Sequence, residues 1–377
     1  MRCTLVNRDL PCRENLNSHS ATELALYLAG RGVDVEIVAV RDPATPEISP
    51  TEKPIHLLPR RYEGKNKILR LLDSVREGRK MARLAADLRH GPIICMTNPP
   101  LLNVWLARLA HKRKLRWLYW TMDLYPEAFL AAGLTSERNP LYRWLARSVT
   151  ANPPSHVIAL GEAQGEHVCR YFKQPPSVTV FPCGIVSSGD EPERPEWARQ
   201  DGKVLLGYAG NLGEAHSEEF VAGVVEQIDP ARHRLILAPY GVKAGRLRAL
   251  AGNRPGVVLL DSVPREHLRF IDVHLVTLLP RWDHICVPSK AVSAVCEGGS
   301  ILFHGSETND NWRLLHETAW RIAPEAELSA ALKDFFTALT PETLVQKKRA
   351  AQAVAQQLFT LRDRALDDIY EKIRELQ

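Results

Sequence analysis

The chain has 377 residues, 45% hydrophobic and 25% charged, and its 49 Lys and Arg against 44 Asp and Glu leave a formal net charge of +5. Such a length suits about two globular domains of roughly 150 residues, each able to bury a core, and the small positive excess is no argument for nucleic-acid binding. Seven scattered cysteines with no C-x-x-C pair are neither a disulfide framework nor a zinc spacing and suit a reducing compartment. The first residues hold no apolar run of signal-peptide length, and no window reaches the ~18 apolar residues of a membrane span. A cytoplasmic protein is expected.

Strand-like and helix-like runs alternate from the start. "CTLVN" (3–7) precedes a helical stretch beginning near Ser20, then come "DVEIVAV" (34–40), "IHLLP" (55–59) and a long helix-period segment over 66–89. "PIICMTN" (92–98), a helix through "LLNVWLARLAHK", "LRWLYW" (115–120), a helix near 140–150, "HVIAL" (156–160), a short helix and "VTVFP" (178–182) follow. The Pro- and charge-rich segment 187–203 reads as a linker. Alternation then restarts with "VLLGYAG" (204–210), "HRLILAPYG" (233–241), "GVVLLDSV" (256–263), "DVHLVTLLP" (272–280) and "SILFHG" (300–305), and the last forty or so residues read as helix. Short apolar runs separated by amphipathic segments predict β-α-β units and parallel sheets. The expected fold is therefore α/β, with two doubly wound domains in tandem closed by terminal helices. Ligands would bind beyond the carboxyl ends of the strands, by default in a cleft between the domains.

Several loops at strand ends offer chemistry. Gly210 and Gly213 in "GNLGEAHS" form a glycine turn running to a helix that starts near Ser217, which reads equally as an anion or sugar cradle and as a plain β-α turn. In "VPSKAVSAVCEGG" (287–299), Pro288 suits a first helical turn and Gly298 a C-terminal stop, placing Ser289 and Lys290 at a helix N-terminus. A lysine there opposes the helix dipole, a cost that makes sense if a phosphate is bound; otherwise Lys290 is a solvated side chain whose stem covers apolar surface. Asp123 in "TMDLYPE" either holds a sugar or acceptor hydroxyl or caps the helix that Pro126 and Glu127 announce. "SATE" (20–23) reads as a capping box from Ser20 to Glu23. Segment 60–89 carries ten Lys/Arg and four Asp/Glu, either a solvated basic face or a membrane-surface helix. No histidine spacing fits a metal site, and no Ser-His-Asp set can be assembled.

Taken together, "ATELALYLAGRGVDVEIVAV", "TNPPLLNVWLARLA", "TMDLYPEAF", "VTVFPCGI", "GYAGNLGEAHSEEF" and "VPSKAVSAVCEGG" resemble, in order and spacing, the retaining glycosyltransferases of family four. The nearest group is the bacterial surface-polysaccharide sugar transferases with a "PSK" signature. The resemblance covers nearly the whole chain and implies a GT-B fold: an acceptor-binding Rossmann-like domain over 1–185, a nucleotide-sugar-binding one over 186–355, and a helix over 356–377 returning to the first. It implies a metal-independent, retaining transfer of a hexose-type sugar from a nucleoside diphosphate donor to a glycan or lipid-linked acceptor, with no other cofactor. Gly210, Asn211 and Gly213 would line the phosphates and sugar, and Ser289 and Lys290 the diphosphate. Tyr240, Gly241 and Val263 would flank the base; Arg281, Asp283, His284 and Ser293 would complete the donor site. Lys290 and Asp123 would be the catalytic pair, and Arg13, Glu14, Asn15 and Asp123 the acceptor contacts. Peripheral membrane contact would run through 60–89.

Three departures from the family pattern stand out. Asn211 replaces a basic residue after the glycine turn, and Ile285 and Ser293 fall where two glutamates are usual. "LPCRENLNS" replaces the N-terminal Gly-Gly turn. They leave room for a catalytically silent GT-B protein that binds a nucleotide sugar or a partner enzyme. A sugar-nucleotide epimerase can also share the fold but needs cleft carboxylates and a histidine that do not assemble here.

Overall fold

A computed structural model describes residues 1–9, 16–41, 55–60, 67–186, 189, 192–252 and 254–377. The chain divides into two compact units, 1–183 with 361–377, and 184–360.

In the first unit, β1 (Arg2–Val6), α1 (Leu16–Gly30), β2 (Asp34–Val40), β3 (Ile55–Leu58), α2 (Lys67–Leu88), β4 (Ile93–Cys95) and α3 (Leu102–Arg113) make the first half. There follow β5 (Trp117–Thr121), α4 (Glu127–Ala131), α5 (Pro140–Thr150), β6 (His156–Ala159), α6 (Glu162–Cys169) and β7 (Ser177–Val180). The seven strands are parallel in the order β3-β2-β1-β4-β5-β6-β7. Their runs are nearly continuous in apolar residues because a parallel sheet under helical crossovers is covered on both faces. Leu5, Ile37, Ile93 and Ile94 are fully buried, and Trp120 stacks on Phe181 with ring centres 5.2 Å apart.

The second unit holds β8 (Val204–Asn211), α7 (Glu218–Gln227), β9 (His233–Tyr240), α8 (Ala244–Ala251), β10 (Val257–Leu259), β11 (Val273–Thr277) and α9 (Ser289–Cys296). It continues with β12 (Ser300–His304), α10 (Asp310–Leu315), β13 (Ala319–Ile322), α11 (Leu328–Ala338) and α12 (Pro341–Glu375). Its parallel strands run β10-β9-β8-β11-β12-β13. One core cluster joins β8, β9 and β11 to α7 and α11 through Leu206, Tyr208, Phe220, Leu235 and Leu332. Another packs Ile185, Val292, Phe303 and the first part of α12, Ala351 to Leu358, around α9. The last turns of α12 belong to the first unit, where Arg362 reaches Glu23 at 3.3 Å.

Each sheet reverses its strand order once, between β1 and β4 and between β8 and β11. Crossovers leave such a point in opposite directions, which opens a crevice beyond the strand ends. Two local expectations fail. Ser20 is the fifth residue of α1, buried, its hydroxyl directed at Cys183 Sγ at 3.7 Å, so it caps nothing; helix α1 starts at Leu16 instead. β13 goes unrecognised because "AWRI" is a short edge strand with Trp320 and Arg321 only half-buried.

Candidate functional site

The second unit's crevice is built from the loops that follow β8 and β11. The β8 strand ends at Gly210 (φ 132°) and exposed Asn211. The next loop is stitched down at every step. Leu212 N–H donates to Tyr240 O at 2.7 Å, Leu279 N–H to Ala215 O at 2.8 Å, and Lys243 Nζ to His216 O at 2.7 Å. Ser217 then caps α7, its hydroxyl accepting from Phe220 N–H at 3.1 Å, as expected of this residue type. Gly241 (φ 100°) sits beside this loop, and a Cβ there would run into Asn211 Oδ1 and meet Leu212 N and O at 3.3 and 3.2 Å. Its lack of a side chain thus lets the Asn211 amide lie across the end of β9, and Gly213 packs on the same amide.

Lys290 is the second residue of α9, with Ser289 the first and Pro288 the N-cap rather than part of the first turn. Gly298, at φ 81°, ends the segment as a left-handed residue that a side chain would strain. The half-buried Lys290 ammonium donates to Tyr208 Oη at 2.8 Å and stands 3.9 Å from the centre of that ring. Tyr208 Oη in turn donates to Asn211 O at 2.9 Å. One chain of contacts therefore runs from α9 through β8 to the glycine turn. Burial pushes the Lys290 pKa down to about 7. Its side chain still has some solvent contact, so the surrounding protein, rather than full enclosure, is the cause.

Sequence reasoning passed over His216 and Tyr208; Lys243, a candidate to help Lys290 where Asn211 replaces the family's basic residue, instead donates to the glycine-turn loop at His216 O. The His216 Nδ1 lies 2.6 Å from Thr277 O, a pure acceptor, so Nδ1 carries the proton and Nε2 keeps its lone pair. Burial first, then the Lys290 charge, pushes its pKa down to about 3, which keeps the ring neutral. A lone histidine after a Gly-x-x-Gly turn carries no motif, and only the fold brings it beside Lys290.

The remaining donor-side expectations divide. Tyr240 is 62% exposed at the end of β9 and Val263 is half-exposed after β10. Arg281 is exposed on the turn Pro280–Trp282. Asp283 is half-buried, accepts from Thr308 Oγ1 at 3.4 Å, and is pushed up in pKa by burial. His284 follows it in the left-handed region at φ 64°. Ser293 is 2% exposed and its hydroxyl donates to Gly184 O at 3.0 Å, tying α9 to the start of the unit.

In the first unit, Asp123 lies two residues beyond β5. Its N–H donates to Thr97 Oγ1 at 2.9 Å. Buried amides hold the segment around it: Gln164 Oε1 accepts from Thr121 Oγ1 at 2.8 Å and Leu160 N–H at 2.9 Å, and Asn103 Nδ2 donates to Tyr125 O at 2.8 Å. The capping alternative is not realised, since the N-cap of α4 is Pro126 and no side chain caps that helix. Asp123 is exposed, and the protein atoms packed around its carboxyl push its pKa up to about 6, a shift that the open side toward solvent moderates. Arg13, Glu14 and Asn15 lie outside the described residues, as does part of the basic segment, 61–66. Among the described residues no helix is long and apolar enough to cross a membrane.

Residues 18–184 match the family described as Glycosyl transferase 4-like domain. A probable glycosyltransferase, WbjE of Pseudomonas aeruginosa, is 23% identical over 272 residues, 66% of this chain and 66% of that protein. Among solved structures, sucrose-phosphate synthase from Thermosynechococcus elongatus superposes with a TM-score of 0.72 at 15% identity, covering 100% of this chain and 98% of that one. HepE of Anabaena, determined with UDP and glucose, gives a TM-score of 0.68 at 13% identity over 98% and 100% of the two chains. The two parallel Rossmann-like sheets form a GT-B fold, and the first unit is similar to the glycosyl transferase 4-like domain.

Proposed function

We propose that the protein moves a hexose-type sugar from a nucleoside diphosphate donor to a glycan or lipid-linked acceptor, without a metal and with retention at the anomeric carbon. The observation that carries this reading is the position of Lys290. A cation in the first turn of α9, at the strand-order reversal of its sheet, is held by Tyr208 although the helix dipole opposes it. A diphosphate would relieve that opposition by accepting from Lys290 and from the free N–H groups of the helix end.

In this reading, Gly210, Asn211 and Gly213 border the phosphates and sugar, and Tyr240 offers an exposed ring to the base. Arg281, Asp283 and His284 supply polar groups from the loop before α9. The acceptor oxygen bonds to the anomeric carbon as the bond from that carbon to the diphosphate oxygen breaks, with its electron pair leaving on the diphosphate. The acceptor proton passes to the departing diphosphate, so no pair of carboxylates is required. Lys290 stabilises the charge that develops on the leaving group, and Asp123 holds the acceptor hydroxyl. HepE's complex with UDP and glucose makes uridine donors the first to try. A basic α2 resting on the inner face of a membrane would bring a lipid-linked acceptor within reach.

A thermal-shift series with UDP, GDP, dTDP, ADP and CMP tests the donor site. A ligand at 100 times its dissociation constant adds about 2.7 kcal/mol. Stabilisation by one diphosphate, followed by acceptor-dependent transfer and an NMR assignment of the product anomer, is the expected result. Ile285 and Ser293 are buried and non-acidic where the family's glutamates fall, which favours a silent nucleotide-sugar binder as the second reading. Stabilisation without turnover on any acceptor would select it, and an inverted anomer would overturn the retaining mechanism.

A further inference from the structure

His216 stands on the loop between β8 and α7, and hydrogen bonds fix both its ring and its backbone. Its Nδ1–H donates to Thr277 O at 2.6 Å, and its own carbonyl accepts from Lys243 Nζ at 2.7 Å. Leu279 N–H holds the carbonyl of the preceding Ala215 at 2.8 Å, and Thr277 Oγ1 accepts from the N–H of the following Ser217 at 3.3 Å. Thr277 ends β11, is fully buried, and has its hydroxyl 3.2 Å from His304 Nδ1. A ring held through one nitrogen and through both backbone neighbours aims its other nitrogen with little freedom.

That other nitrogen, Nε2, has no hydrogen-bond partner among the described residues, and the ring is only half-buried. With the proton on Nδ1, Nε2 offers a lone pair and can only accept. Burial and the Lys290 and Lys243 charges oppose a second proton, so the ring stays neutral. The Lys290 ammonium is turned to Tyr208 Oη, and Lys243 to the loop carbonyls. Phosphates bound at Lys290 carry no proton at neutral pH and would face the Nε2 lone pair with lone pairs of their own. A group that donates is required there. Beside the diphosphate of a nucleotide sugar, the donors are the hydroxyls of the sugar ring and any amide N–H it carries.

We infer that His216 reads the donor sugar. Its Nε2 accepts from a sugar hydroxyl or amide N–H while Lys290 holds the diphosphate, and Thr277 is the positioning residue that fixes the ring's tautomer and direction. This role rests on the donor site proposed above and deepens it. The two side chains divide the work by chemistry. A cation serves any diphosphate, whereas a neutral acceptor adds affinity only when the ligand brings a proton to it. A site that hydrogen-bonds a substrate hydroxyl also rejects analogues lacking it, because its own polar group is then left unpaired.

The test is calorimetric titration of the whole chain with UDP, GDP, dTDP and ADP and with the glucose conjugate of each. If no diphosphate binds, the donor site itself fails and the role of His216 with it. His216→Asn keeps a donor for Thr277 O but places nothing at the Nε2 position. It should weaken binding of the matching glucose conjugate about three- to tenfold, the worth of one neutral hydrogen bond, and leave the bare diphosphate unchanged. His216→Gln, whose amide oxygen reaches the Nε2 position, should restore much of that loss. Equal losses for diphosphate and conjugate, or none for either, would overturn the inference while the donor site stands. Nitrogen NMR of histidine-labelled wild type needs no variant. Nε2 should resonate as an unprotonated nitrogen, move toward the protonated range with the glucose conjugate and barely move with the diphosphate alone. An identical signal with both ligands would overturn the inference. Full protonation of Nε2 by the diphosphate alone would overturn it too, and would make the ring a phosphate donor instead.

Discussion

The Lys290 ammonium and the Tyr208 hydroxyl are 2.8 Å apart, and that hydroxyl donates its own hydrogen bond to Asn211 O. The tyrosine accepts from the lysine and donates to the glycine-turn backbone, so it sets both groups at once. Lys290→Ala should lower nucleoside diphosphate affinity tenfold or more, about 1.5–3 kcal/mol for a charge-assisted contact. Tyr208→Phe keeps the ring but leaves Asn211 O without its donor. Its expected signature is a melting temperature about 2–4 °C lower and a smaller loss of affinity than Lys290→Ala. Calorimetric titration with UDP reads both, and equal affinity in wild type and a folded Lys290→Ala protein would remove the lysine from the site.

Burial brings Lys290 to about pH 7 from an ordinary value of 10.5. Between those values the unfolded chain binds more protons than the folded one, so this group makes stability rise with pH across the window. Diphosphate binding has the opposite slope, because it needs the ammonium. The ligand's last phosphate ionisation, with a pKa of about 6, is largely complete by about pH 7, so affinity should fall above about pH 7, by up to tenfold per unit. Lys290→Arg holds its charge and should flatten the profile. A flat wild-type profile between neutral pH and pH 9 would show that Lys290 does not contact the phosphates.

Asp123 carries the reverse shift, from 3.8 up to about 6. The folded state binds more protons over that window, so stability from this group falls as pH rises through it and the carboxylate at neutral pH carries a cost. Asp123→Asn should therefore melt no lower than wild type at pH 7. If the carboxylate holds the acceptor hydroxyl, kcat/KM should drop by tenfold or more, with UDP affinity unchanged. Wild-type kcat/KM should also decline below about pH 6. A variant that loses stability and keeps its kcat/KM would return Asp123 to a structural role.

Gly241→Ala adds a Cβ at φ 100°, against the Asn211 amide. Left-handed strain alone costs on the order of 1–3 kcal/mol, and relief requires Asn211 to move off the end of β9. Lower thermal stability together with weaker diphosphate binding is expected. Gly245→Ala, with open space around its Cβ in α8, is the control and should be neutral or slightly stabilising.

The alternation of apolar runs in the sequence determined the two parallel sheets, because strands covered on both faces must be apolar throughout and their crossovers must be helices. DVEIVAV is β2 to the residue, and the basic stretch inside 66–89 is α2. The glycine turn and the lysine in a first turn were also legible, since backbone conformation and helix ends select residue types locally. Ser20 was misread because S-x-x-E inside a helix looks the same as S-x-x-E at its start, and only the earlier origin of α1 separates them. Ser293, His216 and Tyr208 depended on the tertiary structure. A serine hydroxyl faces a ligand or a carbonyl according to which segment crosses the helix, and here Gly184 does. His216 gains meaning from the Thr277 carbonyl 61 residues away. Hydrogen-bond partners and surface neighbours of that kind are set by packing between distant segments, which local periodicity does not encode.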